Sequence, residues 1–442
     1  ALVEVRDEGP RLVHLALAER LSARIELKTK MACHRAWAGV LEAPPHGPGS
    51  AERLLEAARN RHACGQQAQA ARDELAAAKL LRERWEVKPA SRAANRAQGR
   101  VDGHPDLLRA EEEAELGVLA AVLEHEAQEE ATTASALTAA LDMLQPLWIA
   151  LPASEERCRC DYAHAEALRA AGRTREAIEA LERTLDGARG IHSALWECHA
   201  LAALAAMLRL QGHFARAEEL SEEAWVIASR LGDPQLMLEV LGTRIPLAVA
   251  RSDADRGRLL LDKLRSLLRT RASWQDLQNL WRFRGDVERV AGNDVAARQA
   301  YRTALVLGEK RGLPNARVHL ALAAMGLASG DVPTAAESLE AVGGADSFRG
   351  DSAHELRCNA AIYRVELAVR TGRGMDAAAA LQDAEILMQQ SPLADPGLQW
   401  SLERAMAATP DKGLRKRLRA LSDAMERAMD RGSNPAGRRS AR

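Results

Sequence analysis

Two groups of soft side chains stand out for their chemistry. His62 and Cys64 lie two apart beside Gly65 in RHACGQQAQAARDELAAAK (Arg61 to Lys79), and Cys158, Cys160 and His164 share one short stretch, with Cys198-His199 further on. A thiol beside an imidazole is the start of a nucleophile, and mixed thiol and imidazole pairs are zinc ligands. The spacing argues against both. Zinc asks for four tetrahedral ligands, usually presented by tight CxxC-like turns, whereas residues two apart on a helix point about 200° away from each other. Cys64 closes a helical stretch, where the macrodipole opposes a thiolate. The cysteines therefore read as small side chains filling helix contacts. HExxH, Gly-x-Ser-x-Gly and CxxC motifs do not occur, nor does a phosphate-binding loop or a kinase HRD or DFG signature.

A row of cations is more regular. Arg169, Arg209 and Arg289 each stand three residues before a glycine (Gly172, Gly212, Gly292), and His62 has the same place before Gly65. Ten and thirteen residues before such an anchor come Arg159 and Tyr162, His199, Asn279 and Arg282, then Arg317 and Asn359. Guanidinium groups on rigid helices take carboxylates bidentately, so this set reads as a groove for an acidic peptide or a carboxylate-bearing partner segment. The competing reading is that arginine in a last helical turn complements the dipole and lies in solvent.

The elements that must position these residues follow from composition and repeat. Apolar residues make up 47% of the 442 and aromatics only 3%, with alanine abundant. Such a core suits closely packed helices and gives little material for strands. After apolar helical runs, anchors recur at Gly172, Gly212, Ser252 (a degenerate copy), Gly292, Gly330 and Gly372. Five residues after each anchor comes a small residue: Ala177, Ala217, Gly257, Ala297, Ala335 and Ala377. Seven before, most copies are small as well: Ala165, Ala205, Gly285 and Ala323. A larger filler follows nine after the anchor at Leu181, Leu261, Tyr301, Leu339 and Leu381. Small residues let two antiparallel helices cross closely, and glycine closes the first helix in the left-handed region. Hairpins with one apolar face must stack. Gly65, with Ala58 and Ala70 at the same offsets, opens a further copy.

This pattern resembles the tetratricopeptide repeat, whose period is about 34 residues. The spacing of 38 to 42 resembles its long-period variant in bacterial signalling ATPases and maltose-regulator-like transcription factors, as does the Leu-Gly-Asp of ASRLGDPQL (Ala228 to Leu236). HEAT-like pairs have similar periods, but the glycine and alanine placement favours tetratricopeptide hairpins. The resemblance implies that the arginines before the anchors face an inner groove. At the start, VEVRDEGPRLVHL alternates around a turn as a short β-hairpin does, and a helix follows from about Ala16. Its order with His34, Arg35, Trp37 and Ala63-Cys64-Gly65 resembles the junction between the winged-helix part of a signal-transduction ATPase and its repeats, as in bacterial Ser/Thr kinases with a repeat tail. That resemblance implies that His14 faces a nucleotide module. No such module is encoded in these residues, so a strand histidine packed on the wing is the plainer reading.

The charge count, 61 basic against 62 acidic, gives no global field for nucleic acid or an anionic membrane. The acidic stretch holding Glu111, Glu112, Glu113, Glu115, Glu124, Glu126, Glu129 and Glu130 reads as a solvated helix face, and the basic end from Arg415 as a solvated tail. Six cysteines in a chain of this length point to free thiols in a reducing cytoplasm. No run is long and apolar enough to span a bilayer, and the charged start without an initiator Met reads as a segment cut from a longer chain.

The sequence thus predicts an all-α, right-handed superhelical solenoid of antiparallel helix hairpins with a short β-hairpin at its N-terminus. Residues 1–45 are expected to end a winged-helix-like module. Residues 50–430 are expected to form the solenoid, with an irregular insertion around 86–105, and 431–442 a disordered basic tail. Gly242 and Pro246 are expected to interrupt one helix. The expected role is a non-enzymatic scaffold or sensor arm of a signalling ATPase or Ser/Thr kinase. It would bind a protein or peptide, with no cofactor, nucleic acid or membrane. The alternatives are an effector-binding domain of an ATP-dependent transcription activator and a thiol or metal enzyme.

Overall fold

The computed structural model describes residues 3–6, 9–12, 26–42, 50–83, 86–104, 106–127, 134–269, 272–311, 315–343 and 353–433. Strands β1 (Val3–Arg6) and β2 (Gly9–Leu12) pair antiparallel, with Val3 opposite Leu12 and Arg6 opposite Gly9. Among the described residues every other element is helical, and the chain divides into two compact units.

The first unit comprises 1–129 with 144–151. It contains β1 and β2, α1 (Leu27–Glu42), α2 (Ala51–Ala63), α3 (Gln67–Glu83), α4 (Val87–Gly103) and α5 (Ala110–Ala127). Its core is almost all alanine and leucine, from Ala51 and Ala71 through Ala97 to Leu123. The second unit comprises 130–143 with 152–442, and α6 (Ala134–Ile149) has residues in both units.

In the second unit the helices pair as hairpins around the expected anchors. These are α7 (Glu155–Ala170) with α8 (Thr174–Gly190), α9 (Ala194–Leu210) with α10 (Phe214–Leu231), and α11 (Pro234–Ala250) with α12 (Ala254–Leu267). Then come α13 (Trp274–Val290) with α14 (Asp294–Arg311), α15 (Ala316–Ser329) with α16 (Val332–Val342), and α17 (Ala353–Arg370) with α18 (Gly374–Gln390). Helices α19 (Pro396–Ala408) and α20 (Lys412–Ser433) close the array. The α20 stripe Leu414, Leu418, Leu421 and Met425 is buried in the last core cluster, as a cap requires.

Each hairpin closes by the same local chemistry. The anchors Gly65, Gly172, Gly212, Gly292, Gly330 and Gly372 all have φ between 70° and 83°. After most of them the next residue donates its N–H to the carbonyl five positions back, as Arg173 does to Leu168 and Asn293 to Glu288, at 2.8 Å in both. That bond satisfies carbonyls the helix end would orphan. The degenerate anchor Ser252 takes the same conformation, φ 57°, without glycine's freedom. A left-handed non-glycine residue costs about 1–2 kcal/mol, and glycine's extra unfolded-state entropy returns about half of that. Ser252→Gly is therefore expected to raise the urea midpoint at unchanged m, by about 0.5–1 kcal/mol. A lowered midpoint would show the strain argument wrong at this turn.

The small positions are contact points. Ala177, Ala217, Ala297, Ala335 and Ala377 are all fully buried. A Cβ on Gly257 would come within 2.8 Å of the Val287 side chain.

Four expectations need correction. Residues 86–105 are not an irregular insertion: 87–103 form α4, with Ala90, Ala93, Ala94, Ala97 and Val101 on one buried stripe. Pro89 lies in the first turn, where no intrahelical N–H is needed, and Gly99 faces open space. Gly242 and Pro246 do not interrupt α11, which runs unbroken from Pro234 to Ala250. The carbonyl that loses its donor, and against which the proline ring presses, belongs to Gly242 itself, where a missing Cβ leaves the most room.

The acidic face of α5 is not simply solvated, because it meets the cations of α3. Arg72 pairs with Glu112, Arg82 with Glu126, and Lys79 with Glu115, which is 3% exposed. Burial works against ionisation of Glu112, but hydrogen bonds from Arg72 and Arg109 hold its carboxyl at about 2. At the C-terminus, residues 431–433 belong to α20. The rest of the expected tail, His14 and the helix expected from Ala16 to residue 25 lie outside the described residues.

Candidate functional site

The arginines before the anchors come from the last turns of the first helices of their hairpins, where the dipole favours a cation. They do not point into solvent. Arg169 and Arg209 are 15% and 16% exposed by side chain.

Three hairpins and a fourth supply the contacts. Arg209 on α9 lies 3.5 Å from Glu355 Oε1, and Arg317 on α15 donates to Glu355 Oε2 at 3.3 Å. Arg169 on α7 donates to Glu166 at 2.5 Å and adds its field to Glu355. Burial alone would push the Glu355 carboxyl up, yet Arg317, Arg209 and Arg169 together hold it below the usual range.

The network continues along α13. Arg282 donates to Asp286 Oδ2 at 3.1 Å and lies 4.1 Å over the Phe283 ring. Asp286 Oδ1 accepts from the hydroxyl of the fully buried Tyr301 at 2.7 Å. Arg289 hydrogen-bonds Tyr301 and faces Tyr363, and although burial opposes its charge, these neighbours and Asp286 hold it cationic. Five guanidinium groups (Arg169, Arg209, Arg282, Arg289 and Arg317) thus share one region with three carboxylates, Glu166, Asp286 and Glu355. Arg282 Nε and Asn359 Oδ1 are buried there without a hydrogen-bond partner. A half-buried cluster of guanidinium groups with an open Arg282 donor suits an anionic ligand group.

Three other expected groove residues, Arg159, Tyr162 and His199, gather around Trp196. The rings of Tyr162, Trp196 and His199 pack with centroids 5.3 to 5.8 Å apart, and Arg159 covers Trp196 at 5.4 Å. His199 pairs with Glu239 at 2.8 Å. Asn279 is half-buried on α13. His62 belongs to the first unit, exposed, with Gln67 and Arg100 on its ring. Of the residues that sequence spacing grouped, His62 thus lies in the first unit, and the arginines lie in the second.

The thiols are placed for packing. Cys158 donates to the Thr184 carbonyl, Cys198 to Ala224 and Cys64 to Arg61. Burial pushes Cys158 up to about 11 and Cys198 to about 12. His164 bonds Asp142 at 2.8 Å. Sequence reading missed a further contact, Cys358 with His354 at 3.6 Å, where burial again drives the thiol to about 12. Among the described residues no group of three His, Cys, Asp or Glu side chains is arranged to hold a metal ion. None of the described helices is long and apolar enough to cross a membrane.

Glu355 was also invisible to the repeat rules, and it belongs to a wider seam. Arg357 donates to the Ala170 carbonyl at 2.9 Å and Ala394 N–H to the Leu210 carbonyl at 2.7 Å. The hydroxyls of Thr174 and Ser391 touch, and the His354 ring covers Gly172 so closely that a Cβ there would lie 2.5 Å from Nδ1. The first two hairpins of the second unit are thereby joined to its last hairpin and the segment after it. The seam leaves a cavity of only about 10 Å³, lined by Arg169, Thr174, Gln211, His354 and Glu355 among others.

No family model matches the chain, and no curated protein matches it. Solved structures do. A Rap protein complexed with competence and sporulation factor shares 9% identity over 83% of this chain and 99% of its own, with a TM-score of 0.62. A signal-transduction ATPase with a tetratricopeptide repeat sensor from Pyrococcus horikoshii shares 12%, over 96% of this chain and 66% of that one, at 0.44. A human IFIT1 dimer with PPP-AAAA shares 13%, over 92% and 99%, at 0.46. At these identities the likeness to the Rap structure establishes the fold, a solenoid of tetratricopeptide-type helix hairpins, and nothing finer.

Proposed function

We propose that the second unit is a recognition module that takes the carboxylates of an acidic peptide or partner segment on its arginine face. The observation that carries this reading is the half-buried network in which, among the described residues, five guanidinium groups gather around Glu166, Asp286 and Glu355. Rigid helices hold the guanidinium groups, so little entropy is lost when a carboxylate binds. The Rap protein, solved with its factor bound, supports the idea that an array of this fold accommodates a ligand. The module serves as the sensor or docking arm of a bacterial signalling ATPase or Ser/Thr kinase, supported by the resemblance of the first sixty-odd residues to a winged-helix-to-repeat junction. The unit has no catalytic role of its own in this reading.

The test uses the whole 442-residue chain and two fluorescein-labelled pentadecapeptide pools. One carries Asp or Glu at every third position and the other carries Lys or Arg there. The acidic pool is expected to raise the anisotropy and the basic pool not. The Arg209→Ala/Arg317→Ala double variant is expected to bind the acidic pool at least about tenfold more weakly, the effect of roughly 1.4 kcal/mol. Equal binding of both pools, binding of neither, or an unaffected double variant would each sink the reading.

A further inference from the structure

The structure assigns Glu355 a second role: it is the array's own occluding carboxylate, holding the arginine face shut until a ligand carboxylate takes its place. This rests on the proposed recognition of acidic segments and adds how access to the site is controlled.

Three observations converge. First, Glu355 makes the contacts an incoming carboxylate would make, one oxygen toward Arg209 and the other toward Arg317, with Arg169 contributing its field. Second, these partners sit on the second and fifth hairpins while Glu355 sits on the sixth, so its charge bridges parts of the chain that sequence keeps far apart. The same seam carries Arg357 to Ala170, Ala394 to Leu210, and Thr174 against Ser391. Third, the space beside Glu355 is about 10 Å³. That is room for about one water molecule and far below the few hundred Å³ of a ligand pocket. Arg317 is 36% exposed, whereas Arg169 and Arg209 are 15% and 16% exposed, so an acidic segment engages all three only if the seam parts.

Beside the apolar contact of Leu210 with the core of the last hairpin, the seam is held by single hydrogen bonds and by ion pairs whose side chains are 13–36% exposed, each of which water can replace on opening. A ligand carrying two carboxylates would satisfy Arg209 and Arg317 as Glu355 does and also meet the unpartnered Arg282 Nε. The ligand thus has a differential affinity for the open state, as any ligand-driven shift requires.

The experiment compares three forms of the full chain in a Cys33→Ser background, since Cys33 is the exposed thiol. These are the parent, Glu355→Gln, which keeps shape and removes charge, and Thr174→Cys/Ser391→Cys, which can lock the seam by a disulfide. Hydrogen exchange at peptides covering 207–213 and 391–397 is expected to speed up at least about tenfold in Glu355→Gln, with exchange in 294–311 unchanged. The acidic pool is expected to bind Glu355→Gln about tenfold more tightly than the parent. The oxidised lock is expected to abolish binding, and reduction to restore it. Unchanged exchange in Glu355→Gln overturns the occluding role. So does faster exchange with equal affinity for parent and variant, or undiminished binding to the oxidised lock; in each of those cases the recognition of acidic segments itself survives. Faster exchange with no pool binding to any form keeps the seam assignment and removes the proposed ligand class instead.

Discussion

Gly285→Ala is expected to destabilise the second unit by about 2–4 kcal/mol, although alanine is the better helix former by about 1 kcal/mol. Gly285 sits in the middle of α13, and a Cβ there would lie 2.4, 2.5 and 2.8 Å from three ring carbons of Tyr301. Real Cβ atoms do not come that close, so the ring must move. It has nowhere to go: Tyr301 is fully buried, and its hydroxyl is tied to Asp286. Displacing it strains the hydrogen bonds to Asp286 and Arg289, which are worth about 1.5–3 kcal/mol each because they involve charged partners. Chemical denaturation of parent, Gly285→Ala, Tyr301→Leu and the double variant gives a double-mutant cycle. The double variant is expected to lose less than the sum of the two singles, because leucine leaves the added methyl group its space. A stabilised Gly285→Ala, or strict additivity, would show that the ring is not the obstacle.

That contact also explains why the fold was legible in the sequence. The rule is one of compensation. Where the filler nine after the anchor is leucine, as at Leu181 and Leu339, the facing position seven before it is Ala165 or Ala323. Where the filler is Tyr301 the facing residue shrinks to Gly285. The pairing holds in these three hairpins, while the same offsets carry Ile245 with Leu261 and Val365 with Leu381, so local chemistry reports the tertiary crossing in part of the array.

Helix α4 and Glu355 escaped the sequence for different reasons. Helix α4 was hidden because Pro89, Gly99 and Gly103 count as breakers when position within a helix is ignored, yet one sits in the first turn and one faces open space. The stripe Ala90, Ala93, Ala94 and Ala97 was the stronger signal, being buried apolar surface at helical period. The arginine face was legible for the opposite reason: its members repeat with the hairpin. Glu355 repeats with nothing. It lies in the first turn of its helix, an ordinary place for an acid, and only the closing of the array brings Arg209 to it. A contact between residues 146 positions apart leaves no local pattern to read.

Glu366→Ala is expected to cost about 3 kcal/mol and to act first on the end of the array. Glu366 on α17 is completely buried. One carboxylate oxygen takes Arg370 at 2.7 Å and Arg404 Nε at 2.7 Å; the other takes the Ser401 hydroxyl at 2.6 Å and Arg404 Nη2 at 2.9 Å. Ser401 and Arg404 belong to α19, so this one side chain pins the capping pair to the last hairpin. Breaking a buried ion pair from one side costs about 3–5 kcal/mol, because the remaining charges are left without a counter-ion. Here the loss falls toward the lower end of that range, since Arg370 and Arg404 are 20% and 29% exposed and can turn to water, whereas Ser401 cannot.

Two measurements separate loss of the pin from loss of volume. Hydrogen exchange across 396–425 is expected to quicken before exchange in 194–231 does, because the cap detaches before the interior hairpins open. The triple replacement Glu366→Leu/Ser401→Ala/Arg404→Met is expected to recover most of the stability, since an apolar set of similar volume avoids desolvating charges altogether. If Glu366→Ala melts both regions together, or the triple variant stays as unstable as the single one, the carboxylate is not acting as the pin between hairpin and cap.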